Sequence, residues 1–157
     1  MRILKISGWV VLIILIISQF SRPEKNEAGD ITFEAFLAET KPPQEVKEIL
    51  VSSCFNCHSD HTVYPWYNAI TPINYWLNDN ITDGKEDLNF SKWTNYSTAK
   101  KDDKLAEIIK VVEEKEMPLT SYTWMHQEAD LSHDQIQEII YWATQLRFEY
   151  SLKPKPQ

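Results

Sequence analysis

The sequence predicts an all-α domain, and three observations carry that prediction. Apolar residues recur at helical spacing in four separate stretches, beginning at Val46, Ile73, Leu105 and Ile136. Proline, glycine or a Ser-x-x-Gln capping pattern marks the places where those stretches start and stop. A chain of 157 residues, less one apolar N-terminal run, leaves material for one compact domain without internal repeats.

The first element is that run. Arg2 and Lys5 precede an apolar stretch from Gly8 to Phe20, the pattern of an export signal or a membrane anchor. Counted from Ile3, it just reaches the length of a bilayer span. No small-residue cleavage site follows, so residues 1–22 are expected to form an uncleaved anchor helix, with a cleaved signal peptide as the alternative. Either way the basic end stays in the cytoplasm and the remainder faces the periplasm. Residues 23–40 read as a tether, 41–150 as the folded domain and 151–157 as a tail. The chain carries 16 Lys and Arg against 23 Asp and Glu, and Arg2, Lys5 and Arg22 fall in the leader. So acidic a domain is not expected to bind nucleic acid.

Pro43 suits the first turn of a helix, and Val46, Ile49, Leu50 and Phe55 continue it to about Asn56. At its end stands Cys54-Phe55-Asn56-Cys57-His58, a C-x-x-C-H run that reads as an attachment site for c-type haem. On a helix these cysteines and the histidine stand at i, i+3 and i+4, on one face. Two thiols can then join the two haem vinyl groups while the imidazole ligates the iron. A structural zinc site needs four ligands, and the chain has no second cysteine pair. A thioredoxin-like dithiol needs a βαβ setting, and no convincing strand precedes Cys54.

Residues 59–70 form an aromatic loop in which Tyr64, Trp66 and Tyr67 can pack against a haem edge or simply fill the core. His61 lies too close to His58 to reach the opposite side of an iron. Pro72 opens a helix over 72–81 with Ile73, Trp76, Leu77 and Ile81 on one stripe, and Thr82-Asp83-Gly84 ends it. Leu88-Asn89-Phe90-Ser91 and Trp93 read as an apolar hinge. A long helix follows over 98–116, and Pro118 holds Met117 out of it in a loop. Met117 is the candidate sixth iron ligand, with Met125 and His126 as substitutes. Tyr122 and Trp124 can cap the distal side. Ser132 and Gln135 form a capping box that starts a final helix to about Tyr150, burying Ile136, Ile139, Ile140, Ala143, Leu146 and Phe148.

This arrangement looks like a cytochrome c domain, with C-x-x-C-H closing an early helix, a Met-Pro loop and a C-terminal helix. More narrowly, the chain resembles the bacterial haem-binding domain family of small exported single-haem proteins. The matching residues are Cys54 to Ser59, Thr62 to Tyr67, Pro72, Trp76-Leu77, Gly84, Leu88 to Ser91 with Trp93, Glu116-Met117-Pro118, Tyr122 and Leu131-Ser132. The likeness spans roughly residues 40–150. One departure is Asn80, where relatives often carry His. The resemblance implies covalent haem c held by Cys54, Cys57 and His58. With Met117 opposite His58, the expected function is single-electron transfer with a redox partner protein. The alternatives are a haem-based sensor, in which Met117 is displaced or never bound, and a small haem enzyme such as a peroxidase.

Overall fold

The computed structural model describes residues 2–27 and 33–152, without the side chains of residues 2 and 4. Every named element among them is helical: α1 (Arg2–Ser18), α2 (Glu34–Thr40), α3 (Gln44–Ser53), α4 (Phe55–His58), α5 (Ile73–Asp87), α6 (Thr98–Glu113), α7 (Thr120–Thr123) and α8 (His133–Leu152). Short 3-10 turns cover Trp66–Ala69, Phe90–Asn95 and Gln127–Ala129. The expected tail from Lys153 and the middle of the expected tether, 28–32, lie outside the described residues.

The fold is organised around the packing of α6 on α8, with α3 against α8 and α2 against the turn at 90–95. The larger core runs from Phe36, Val46, Leu50 and Phe55 through Phe90, Trp93 and Leu105 to Ile139, Trp142 and Leu146. Phe36 is wholly buried, and its ring meets those of Phe55, Phe90, Trp93 and Trp142. The tether reading of 23–40 is therefore corrected, because α2 is a core helix. Full burial of an aromatic side chain of this size contributes about 2–3 kcal/mol, more than solvation of a free linker offers. A smaller core of Tyr67, Leu77 and Ile81 sits beneath α5.

Polar contacts tie the outer helices together. Glu39 accepts from Lys101 Nζ at 2.8 and 2.9 Å and from Tyr150 Oη at 2.8 Å, while Trp93 Nε1 donates to Tyr150 at 3.2 Å. Arg147 grips Asp102 with two hydrogen bonds across α6 and α8. Ser132 and Gln135 exchange the two bonds of the expected capping box.

Several boundaries differ from the sequence reading, each for a physical reason. Helix α3 stops at Ser53 because Cys54 leaves helical geometry (φ −123°, ψ −47°), and α4 makes a separate turn. Helix α5 runs through Thr82-Asp83-Gly84 to Asp87. Gly84 is there for close approach: a Cβ on it would lie 3.1 Å from the Cys57 carbonyl oxygen, 3.3 Å from Cys57 Cβ and 3.4 Å from His58 Cε1. The buried stripe of α5 is Asn74, Leu77, Ile81 and Gly84, whereas Ile73 and Trp76 are exposed. Asn74 tolerates burial because its Nδ2 donates to Thr71 Oγ1 and its Oδ1 accepts from Tyr75 N. Helix α6 ends at Glu113, three residues early, because Lys115 turns left-handed (φ 57°) and Glu116 N bonds back to Val111 O at 2.8 Å. On α8, Phe148 is exposed, and Trp142 and Tyr150 take the buried places.

The N-terminal helix α1 has 17 residues, and its apolar side chains from Trp9 to Ile17 are exposed. At 1.5 Å per residue it spans about 26 Å, against roughly 30 Å of bilayer hydrocarbon. Among the described residues no helix is long and apolar enough to cross a membrane, so the structure does not bear out the expected anchor helix. The end of the run is drawn onto the domain instead. Gln19 Nε2 donates to Thr71 O and Thr71 N donates to Gln19 Oε1, both at 3.0 Å.

Gly84→Val should destabilise the fold by about 2 kcal/mol, the usual cost of overpacking. Denaturant unfolding would read the change. A variant as stable as the parent would show that α4 and α5 do not need this close approach.

Candidate functional site

The C-x-x-C-H turn is fixed by its own interior residue. Phe55 is buried against Phe33, Phe36 and Phe90, with ring centroids at 4.0, 6.0 and 5.0 Å. Cys57 N and His58 N both bond to Cys54 O, so the one-face spacing survives although the turn is separate from α3. Cys54 packs on the larger core and Cys57 on the smaller one. The turn thus bridges the two.

His58 has one ring nitrogen committed. Nδ1 lies 3.0 Å from Leu88 O, and a carbonyl only accepts, so Nδ1 carries the proton and Nε2 keeps its lone pair. Burial holds the imidazole below its ordinary pKa, outweighing the opposing effect of the Leu88 and Gly84 carbonyls. Neutral imidazole is the form that ligates a metal.

Two cavities meet at this histidine. One, of about 110 Å³, is walled by Leu50, Phe90, Ile108 and Val112, with Cys54, His58 and Met117 on its surface. The other, of about 170 Å³, is bordered by Cys57, His58, Asn80, Met117 and Tyr122. Each is below the roughly 300 Å³ common for cofactor sites. His58 and Met117 line both, so they are the shared walls of one divided space. The structure therefore brings together all four residues singled out from the sequence: Cys54, Cys57, His58 and Met117.

The secondary candidates fare differently. Tyr122 borders the site and accepts a hydrogen bond from Asn56 Nδ2 at 3.0 Å. Trp124 and Met125 are exposed. His126 is turned to other partners, with Nε2 at 2.8 Å from Tyr67 Oη and Nδ1 at 3.1 Å from Glu128 Oε1. Asn80, the departure from the family pattern, does face the cavity.

Some functional residues were missed as such. The Leu-Asn-Phe-Ser block is a scaffold for the motif. Leu88 supplies the carbonyl to His58, Asn89 Nδ2 donates to Asp60, Phe90 packs near the His58 ring, and Ser91 Oγ accepts from Asp60 N. Asn26, read as tether, donates to Ser59 O and Thr62 Oγ1 and accepts from Lys85 Nζ. Nothing in a polar stretch after an apolar run signals such a clamp.

The donor set fits one kind of cofactor. Burial, with the neighbouring Cys57 adding to it, pushes the Cys54 thiol up to about 12, and burial pushes Cys57 up to about 11. Dithiols built for exchange have lowered values, so these thiols are held protonated. Among the described residues no three His, Cys, Asp or Glu side chains converge as ligands for a free metal ion. Two thiols, a committed neutral imidazole, a thioether and apolar walls suit a haem.

No curated protein and no solved structure matches this chain. The model of the haem-binding domain matches residues 13–145, which include the whole of the site, and the chain belongs to the haem-binding domain family.

Proposed function

We propose that the protein binds haem c covalently and transfers single electrons. The supporting observation is that His58 and Met117 share both cavities while the two cysteines border one each. In this reading Cys54 and Cys57 would hold the haem through thioether links. His58 ligates through Nε2, and the Leu88 carbonyl holds its ring in place through Nδ1–H. Met117 would supply a thioether ligand, steadied by its backbone N–H to Val111 O at 3.0 Å. The bound haem supplies the one-electron couple, and a thioether ligand raises its potential relative to two histidines. The surrounding Leu50, Phe90, Ile108 and Val112 exclude water.

The domain works outside the cytoplasm in this reading, delivered by the basic and apolar segment at residues 1–22. Ile73 and Trp76 are exposed next to Tyr75, which Ser21 contacts, as suits a domain lying close to a bilayer surface. A partner protein exchanges the electron. A second reading, a sensor, is favoured by one observation: Tyr122 borders the cavity beside Met117, so a small ligand displacing the thioether meets a phenol.

Intact mass under denaturing conditions, after production with haem-maturation machinery, tests attachment. The native chain should carry the mass of one haem, and Cys54→Ser/Cys57→Ser should carry none. The same spectrum reads whether residues 1–22 are retained. Haem lost from the native chain on unfolding would contradict the covalent reading. Met117→Ala should abolish the weak far-red band of the oxidised protein and let the reduced form bind CO at once. An absorption spectrum indifferent to that substitution would favour the sensor.

A further inference from the structure

The aromatic block that leads into α5 has a composition the haem site does not require. From residue 62 to residue 78 the chain carries no Asp, Glu, Lys, Arg or His, although 25% of the whole chain is charged. Burial explains one side of this stretch, since Tyr67 and Leu77 fill the smaller core on which Cys57 rests. It does not explain the other side. Val63, Trp66, Ile70, Ile73, Tyr75 and Trp76 are exposed, Trp66 at 74%. Apolar residues exposed singly are ordinary, but a set of them in one uncharged stretch marks an interaction surface.

A second uncharged stretch, residues 6–21, holds most of α1. Its apolar side chains from Trp9 to Ile17 are exposed, and Phe20 just beyond them is 87% exposed. The two stretches are pinned together. Gln19 exchanges two hydrogen bonds of 3.0 Å with the Thr71 backbone. Thr71 Oγ1 donates to Ser21 O at 3.3 Å, and the Ser21 and Tyr75 hydroxyls lie 2.5 Å apart. The bare side of the domain therefore continues the bare surface of α1.

From this continuity we infer that the exposed side of residues 63–76 is a lipid-binding face, seated among the headgroups and upper acyl chains of a phospholipid bilayer. The inference rests on the extracytoplasmic reading above and deepens it by naming what the domain itself touches. Several features favour lipid over a protein surface. A helix that is apolar on all sides belongs in apolar surroundings, and α1 ends against Thr71 and Tyr75, so its surroundings extend to this face. Tryptophan and tyrosine pair an apolar body with a polar tip and concentrate where membrane meets water, and Trp66, Tyr75 and Trp76 supply three such rings. No charged side chain in the stretch has to be desolvated on contact. Inward, the small core of Tyr67, Leu77 and Ile81 separates this face from Cys57, so the C-x-x-C-H turn is held close to the lipid.

The test is photo-cross-linking of the haem-loaded full chain in phosphatidylcholine vesicles whose lipids carry a diazirine near the headgroup. Mass spectrometry of the digested chain should find lipid adducts in α1 and at residues 63–76, and none on α6 or α8. Trp66→Ser/Trp76→Ser should lose the adducts at 63–76 and keep those in α1. Trp124→Ser, which removes an exposed indole outside the face, should change neither. Adducts confined to α1 in the native chain would overturn the lipid-binding face and leave delivery by residues 1–22 standing. A native chain that takes up no lipid at all would overturn both. Dimers in sedimentation that Trp66→Ser/Trp76→Ser dissociates, with no adducts at 63–76, would assign the face to a second copy and also overturn the inference. The native chain alone decides the first comparison, so a substitution that fails to fold does not blunt the test.

Discussion

The site depends on how closely α4 lies against α5. At Gly84 the two backbones come so near that a single methyl would press on the Cys57 carbonyl and the His58 ring. A helix-interior glycine costs roughly 1 kcal/mol relative to alanine, so its presence here trades helix propensity for proximity. From that contact the rest follows. Helix α5 continues to Asp87, and its C-cap residue Leu88 then presents its carbonyl to His58 Nδ1. Asn89, Phe90 and Ser91 complete the cradle within the next three residues. One close approach thus sets the position, tautomer and orientation of the imidazole.

The same turn joins two cores that otherwise share little. Phe55 anchors it in the aromatic cluster around Phe36, Cys54 rests on that cluster, and Cys57 rests on Tyr67, Leu77 and Ile81. In the proposed function, thioethers at both cysteines fasten a macrocycle across this divide, and Met117 closes it from the end of α6. The left-handed residue Lys115 returns the chain onto the last turn of α6, so Met117 faces the cavities instead of extending the helix.

Much of this was legible in the sequence. The helical spacing of Val46, Ile49 and Leu50 and of Leu105, Ile108 and Val112 reports a one-sided burial that the structure keeps. The C-x-x-C-H run and the Met-Pro turn named the four residues that meet at the cavities. Less legible were features in which a residue acts against its usual signal. Gly84 marks turns more often than helix contacts, and Thr82-Asp83-Gly84 read as a stop. Lys115 ends α6 without glycine. Phe36 lay in a stretch too short for periodicity to show. Leu88 acts through its backbone, to which side-chain chemistry gives no clue. Just past the end of α1, the Gln19 side chain pairs with the Thr71 backbone, a contact 52 positions away that local hydropathy does not contain.

The central claim is that His58 and Met117 share an iron held at the face of the C-x-x-C-H turn. Iron K-edge X-ray absorption on the oxidised, haem-loaded protein addresses it most directly. The account predicts a single sulfur in the first coordination shell beside the nitrogens of the macrocycle and His58. A shell of nitrogen alone, or one with an oxygen in the sixth place, would contradict it.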